Sequence, residues 1–155
     1  MSRSILVPSW LGLCCLLACG EGPDPRFLSP AATFRTYRQA LSEGDGETAW
    51  SCLSRSHRER DLAGDLAAWR TSIAGEEGRR LAREVARREI SEERRINDRV
   101  AYLQFDRSTV PAGEGPFYYF LRDPDGWKIT THTDSLFRAE LEAAIESGQY
   151  RLTAR

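Results

Sequence analysis

The sequence predicts an α+β domain: helices first, antiparallel strands after them, and one further helix near the C-terminal end. Three observations carry this. Apolar residues recur at three- and four-residue steps between Pro30 and Gly75. Alternating and aromatic runs bounded by turn residues occupy Val100 to Thr131, and a last helical stripe begins near Ser135. The 155 residues suit one domain with a core of its own, and 22 Lys and Arg stand against 23 Asp and Glu. A formal net charge of −1 indicates no nucleic-acid partner.

At the start of the chain, Arg3 supplies a short positive region, and Ile5 to Leu17 is apolar apart from Pro8, Ser9 and Gly12. About thirteen residues is secretory length and too short for a membrane span of about twenty. The run closes as Leu16-Leu17-Ala18-Cys19, and Gly20-Glu21-Gly22-Pro23 follows. These residues resemble a bacterial lipoprotein signal, in which a lipid joins the cysteine thiol and cleavage leaves that cysteine first. Ala18 is the small neighbour such cleavage needs, whereas Cys14 follows Leu13 and Cys15 follows Cys14. A soluble secretory peptide would want a small side chain where Leu16 stands, and a cytosolic protein with an apolar N-terminal strand is the other alternative.

The resemblance implies a signal over residues 1–18, lipid attachment at Cys19, and a tether over 19–28. It places the protein in the cell envelope, facing the periplasm or cell exterior, with the membrane as partner through the lipid. Each buried methylene is worth about 0.8 kcal/mol, and two chains anchor stably where one does not. Removing the signal removes only Arg3 among charged residues and takes the formal net charge from −1 to −2. Of the 4 cysteines, Cys52 would then remain alone, without a disulfide partner, as a small apolar residue on the inner face of a helix.

Each element has its own signals. Ser29-Pro30 reads as N-cap and first helical residue, with Phe34, Tyr37 and Leu41 on one face and Gly44 as the stop. Asp45 caps a second helix with Ala49, Trp50 and Leu53 inward. Ser54 to Arg60 reads as a polar connection. Leu62, Leu66, Trp69 and Ile73 predict a third helix from near Asp61 to Gly75. Glu76 to Arg99 mixes arginines with acids and reads as helix to about Arg83 and strand afterwards, Ala86, Ile90 and Ile96 sharing one parity. Interleaved charges make it a self-paired, solvated face. Asn97-Asp98 is a turn before the strand Val100–Phe105. Residues 111–115 form a loop, Phe117–Leu121 and Trp127–Thr131 a hairpin around Asp123-Pro124-Asp125-Gly126. Asp134 or Ser135 caps the last helix, with Leu136, Phe137, Leu141, Ala144 and Ile145 on one side before Gly148.

Ser29 to Leu41, with Glu43-Gly44-Asp45 and Ala49-Trp50, resembles the opening of nuclear transport factor 2-like domains, and Asp125-Gly126-Trp127-Lys128-Ile129 resembles their closing strand. The resemblance spans residues 29–131 and leaves 132–155 as an added C-terminal helix and tail. It implies a cone: a curved antiparallel sheet wrapped around the N-terminal helices, with a pocket at the open end. Tyr37, Trp50, Trp69 and Tyr119 are the candidate pocket residues, Tyr119 being assigned to the helix-facing parity with Phe117 and Leu121. The favoured function is a non-catalytic binding or assembly module for a small apolar ligand or an envelope protein. The alternative is a small lyase or isomerase of the cone family using a pocket acid–base residue. His57 and His132 show no orienting partner and read as surface polar residues, and Asp106 reads as a carboxylate at a pocket mouth or as one that ends its strand. No cofactor is expected, because metal-ligand spacing, a phosphate loop and a nucleophile elbow are all missing from the sequence.

Overall fold

The computed structural model describes residues 24–151. Cys19 and the signal-like segment lie outside the described residues. A short 3-10 turn, Pro25–Phe27, buries Phe27 in the core, so the chain joins the domain before Leu28, the expected tether end.

Helix α1 spans Pro30–Glu43. The Ser29 hydroxyl accepts the Ala32 N–H at 3.1 Å, and Gly44 ends the helix in the left-handed conformation, φ 70°, which glycine adopts without strain. Phe34, Tyr37 and Leu41 are buried, as their spacing predicts. Asp45 accepts the Glu47 and Thr48 N–H groups and starts α2, Gly46–Ser51.

The expected connection from Ser54 to Arg60 is instead a helix, α3, Arg55–Asp61, capped by the Ser54 hydroxyl. None of its residues is buried, so no apolar stripe announces it. The next helix accordingly starts later than Asp61. Ala63 and Gly64 turn the chain at φ 51° and 67°, and Asp65 caps α4, Leu66–Ala74. Helix α5, Glu76–Arg87, runs past the expected end at Arg83.

Four strands follow: β1, Ile90–Arg95; β2, Val100–Phe105; β3, Phe117–Asp123; and β4, Gly126–Thr130. They pair antiparallel in sequence order, with Leu103 opposite Tyr118 and Phe120 opposite Ile129. Cys52 to Ser54 lies along β4: Ile129 N–H donates to Cys52 O, and Ser54 N–H to Ile129 O, both at 2.8 Å. Ser91 is an extra residue in β1, between Ile90 opposite Phe105 and Glu92 opposite Gln104. This bulge overturns the single parity expected of Ala86, Ile90 and Ile96. Ile90 packs with the helices, Ile96 lies on the other face, and Ala86 belongs to α5 and is exposed.

The fold is thus α+β with apolar clusters on both faces of one sheet. The larger packs α1, α2, α4 and α5 against Leu103, Phe105, Phe120, Trp127 and Ile129. Phe34 anchors it, 4.9 Å from the Phe105 ring and 5.5 Å from Tyr118. The Thr33 hydroxyl ties α1 to the sheet by donating to Trp127 O at 2.8 Å. On the other face, α6, Ser135–Glu146, lays Phe137, Leu141 and Ala144 against Val100 and Leu121. Leu136 and Ile145, expected on that stripe, are exposed.

Lys128 clamps the N-terminal turn. Its buried ammonium donates to Ser51 O at 2.9 Å, pairs with Asp125 at 2.8 Å and sits 3.1 Å from the Phe27 ring centroid. Gly126 makes the approach possible: a Cβ there would lie 2.5 Å from Phe27 Cβ.

Candidate functional site

The expected pocket residues divide between the two faces. Tyr37 is buried in the helical layer, and burial raises its hydroxyl pKa well above the ordinary range. Trp50 and Trp69 are half-buried neighbours with ring centroids 6.0 Å apart, and Trp69 Nε1 donates to Gly46 O at 2.9 Å. These three fill the packing between α1, α2 and α4. Tyr119 does not join them. Tyr118 and Phe120 face the helical layer, and Tyr119 and Leu121 face α6. The parity assigned from sequence is therefore the wrong one, and the four residues do not share a cavity.

Tyr119 instead lines a groove of about 520 Å³ between the sheet and α6. Tyr102 and Phe117 form its floor beside Tyr119, Phe137 and Leu141 form the helix wall, and Tyr150 closes one end. The rings interlock: Tyr102 meets Phe117 edge-on at 5.6 Å, and Tyr119 meets Phe137 at 5.1 Å. Glu92, Arg94 and Gln104 add polar groups along the rim. The Arg94 guanidinium lies 5.2 Å from the Tyr150 ring, and its hydrogen bond with Tyr102 raises its pKa. Burial raises the Tyr119 hydroxyl, and burial followed by a hydrogen bond with Tyr102 raises Tyr150. Both tyrosines therefore stay protonated well above neutral pH.

Asp134 holds α6 over this groove. Its side chain is fully buried and accepts the Leu136 N–H at 2.9 Å and the Phe137 N–H at 3.1 Å. Its other oxygen accepts the Thr130 hydroxyl at 2.9 Å and the Ser56 hydroxyl. One carboxylate thus joins α6 to β4 and α3.

The sequence predicts Asp134 as a cap but carries no sign of its remote partner, Ser56. Tyr150, in the tail after Gly148, is a lining residue that the sequence expectations omit. A signal existed: Gly148, at φ 74°, ends α6, and Tyr150 N–H donates back to Ala144 O at 2.9 Å. A helix that ends on a left-handed glycine is commonly followed by an apolar residue that packs back on its last turns.

The acid–base candidates lie outside the groove lining. His57 Nδ1 is 2.7 Å from Asp61, its partner one helical turn along α3, which the sequence reading did not find. Asp106 caps a 3-10 turn and accepts the Ser108 N–H and hydroxyl, each at 2.8 Å, which lowers its pKa. His132 is exposed, its ring 6.0 Å from Tyr119. Among the described residues, no group of three or more His, Cys, Asp or Glu side chains is gathered as a metal site. Cys52 is buried, and burial pushes its thiol up to about 12, so it is protonated and unreactive at neutral pH.

These features define an α+β domain with helices on both faces of its sheet and an aromatic groove beneath its last helix. Comparison of the chain with protein-family models, curated proteins and solved structures gives no match.

Proposed function

We propose that the protein is a lipid-anchored cell-envelope module, of nuclear transport factor 2-like architecture, that binds a small apolar or amphipathic ligand without transforming it. The single observation that carries the binding reading is the groove. Its volume of about 520 Å³ falls within the range of small-molecule sites, and aromatic rings line it with a few polar groups at the rim. The order of elements, helices and then antiparallel strands, supports the family reading. The signal-like run ending at Ala18-Cys19 supports the anchor. None of the helices among the described residues is long and apolar enough to cross a membrane.

The ligand lays its apolar body on Tyr102, Phe117 and Tyr119 and turns a polar end toward Arg94 and Gln104. Titration with decanol, followed by amide chemical shifts, tests this. The expected shifts cluster on β2, β3 and the first turns of α6. Phe117→Ala is expected to weaken binding about tenfold, as loss of a central aromatic contact does. Shifts that are absent, or that gather on α2 and α4, would overturn the groove assignment.

A further inference from the structure

A second cavity, of about 400 Å³, opens at the end of β3 beyond Thr130, the last residue of β4 to pair with it. It is lined by Arg88, Glu114, Phe117, Tyr118, Tyr119 and His132. The function proposed above uses the groove under α6, and Arg88 takes no part in it.

Arg88 is the unusual member. It follows α5 directly, and its side chain is only 4% exposed. A buried guanidinium presents five N–H donors in a plane and normally has them met. Here one nitrogen, Nη2, pairs with the Glu114 carboxylate. Among the described residues, Nε and Nη1 find no hydrogen-bond partner. The guanidinium carbon lies 5.1 Å from the Tyr118 ring centroid and 5.5 Å from that of Phe105. Those rings favour the positive charge, and the Tyr118 hydroxyl accepts no hydrogen bond from Nε or Nη1.

Glu114 differs in kind. Its side chain is 44% exposed, and it stands in the loop between Pro111 and Gly115. Gly113 holds φ 88°, and the Glu114 N–H donates to Pro111 O at 3.2 Å. The cation is therefore built into the domain, whereas its anion is supplied by a surface loop and satisfies one nitrogen.

We infer that Arg88 anchors a binding site for an organic carboxylate, and that Glu114 is a built-in occupant which the ligand's carboxylate replaces. A planar carboxylate can span two guanidinium nitrogens, so in the place of Glu114 it would keep Nη2 and meet one of the two donors that Glu114 leaves unpaired. The Tyr118 ring beside the guanidinium then gives an aryl or acyl body a surface to lie on. An aromatic acid fits both halves of the site.

Benzoate is the probe, with benzamide as its neutral counterpart and inorganic phosphate as the competing oxyanion. The full-length protein and Glu114→Gln are titrated calorimetrically and melted with and without each compound. The expected result is that benzoate binds both forms and benzamide neither. Glu114→Gln is expected to bind benzoate about tenfold more tightly, since a charge-assisted competitor has gone. It should also melt lower than the wild type, and benzoate should restore the difference. Arg88→Lys in the Glu114→Gln background keeps a charge but not the planar fork, and is expected to lose the gain in affinity.

The inference is overturned if benzoate and benzamide bind alike, or if neither form binds benzoate. It is equally overturned if phosphate restores the Glu114→Gln melting temperature and benzoate does not. Should Arg88→Lys fail to fold, the Glu114→Gln comparison decides alone.

Discussion

At Asp134, a carboxylate with no exposure accepts hydrogen bonds from the Ser56 and Thr130 hydroxyls and from two backbone N–H groups. Burial raises its pKa, but these donors favour the charged form and bring it below the ordinary 3.8. The unfolded chain titrates at the higher value. This contribution to stability is therefore complete above about pH 4 and is lost as pH falls through the lower folded value. Asp61 extends the same acid limb, held at about 2 by the Arg60 hydrogen bond and further by His57, against a burial cost. Asp134→Asn should keep part of the cap, cost about 1–2 kcal/mol at pH 7 and flatten the stability profile below pH 4. Asp134→Ala should cost about 3 kcal/mol, losing the cap and leaving two hydroxyls without their acceptor. Urea denaturation at pH 7 and pH 3 measures both effects, and an Asn variant with an unchanged acid limb would assign that limb elsewhere. The cap was legible in the sequence because its partners are two and three residues away. Ser56 was not, because a contact across 78 positions leaves no local pattern. Tyr119 failed for a related reason. Both faces of β3 are covered, so the alternation of its bulky residues cannot say which face meets the helices.

Among the elements, those with one apolar stripe or strand run and a clear cap were readable: α1, α2, β2 to β4 and α6. Helix α3 was not, since it buries none of its residues and rests on a Ser54 cap and the His57–Asp61 pair. The bulge at Ser91 was invisible because it changes the face of every later residue in β1 without altering composition. The groove suffers from both effects. Its floor and wall come from β2, β3 and α6, and only the docking of α6 brings them together. Phe137 carries that docking, 2% exposed and edge-on to Tyr119. Phe137→Ala should cost about 3–5 kcal/mol if α6 unfolds together with the sheet. Helix α6 is the last element among the described residues, however, and the other cluster contains none of its side chains. The expected outcome is local: amides of Ser135–Glu146 lose protection against hydrogen exchange while those of Val100–Phe105 keep theirs. Equal loss in both segments would make the molecule one cooperative unit and deny α6 an independent opening over the groove.

On the scale of the whole molecule, the proposed anchor and the N-terminal clamp act together. Phe27 is held by Gly126 and by the Lys128 ammonium, so the chain is fixed to the β3–β4 hairpin from Asp24 onward. Gly20 to Pro23 is then the sequence that separates Cys19 from that point. At about 3.3–3.6 Å per extended residue, it reaches less than about 20 Å. A lipid on Cys19 would therefore keep this edge of the domain close to the membrane surface. α6 packs against the other face of the sheet, so tethering at the β3–β4 edge need not cover the groove. Cys19→Ser tests the anchor, because a hydroxyl cannot replace the thiol in forming the thioether. Cells given a radiolabelled fatty acid should label the wild type alone, and only the wild type should sediment with membranes. The folded domain should be indifferent to the change, so the melting temperatures of the two forms should agree. Equal labelling of both would remove the anchor, and with it the argument for a membrane-proximal edge, while leaving the groove and the Arg88 cavity to be judged on their own ligands.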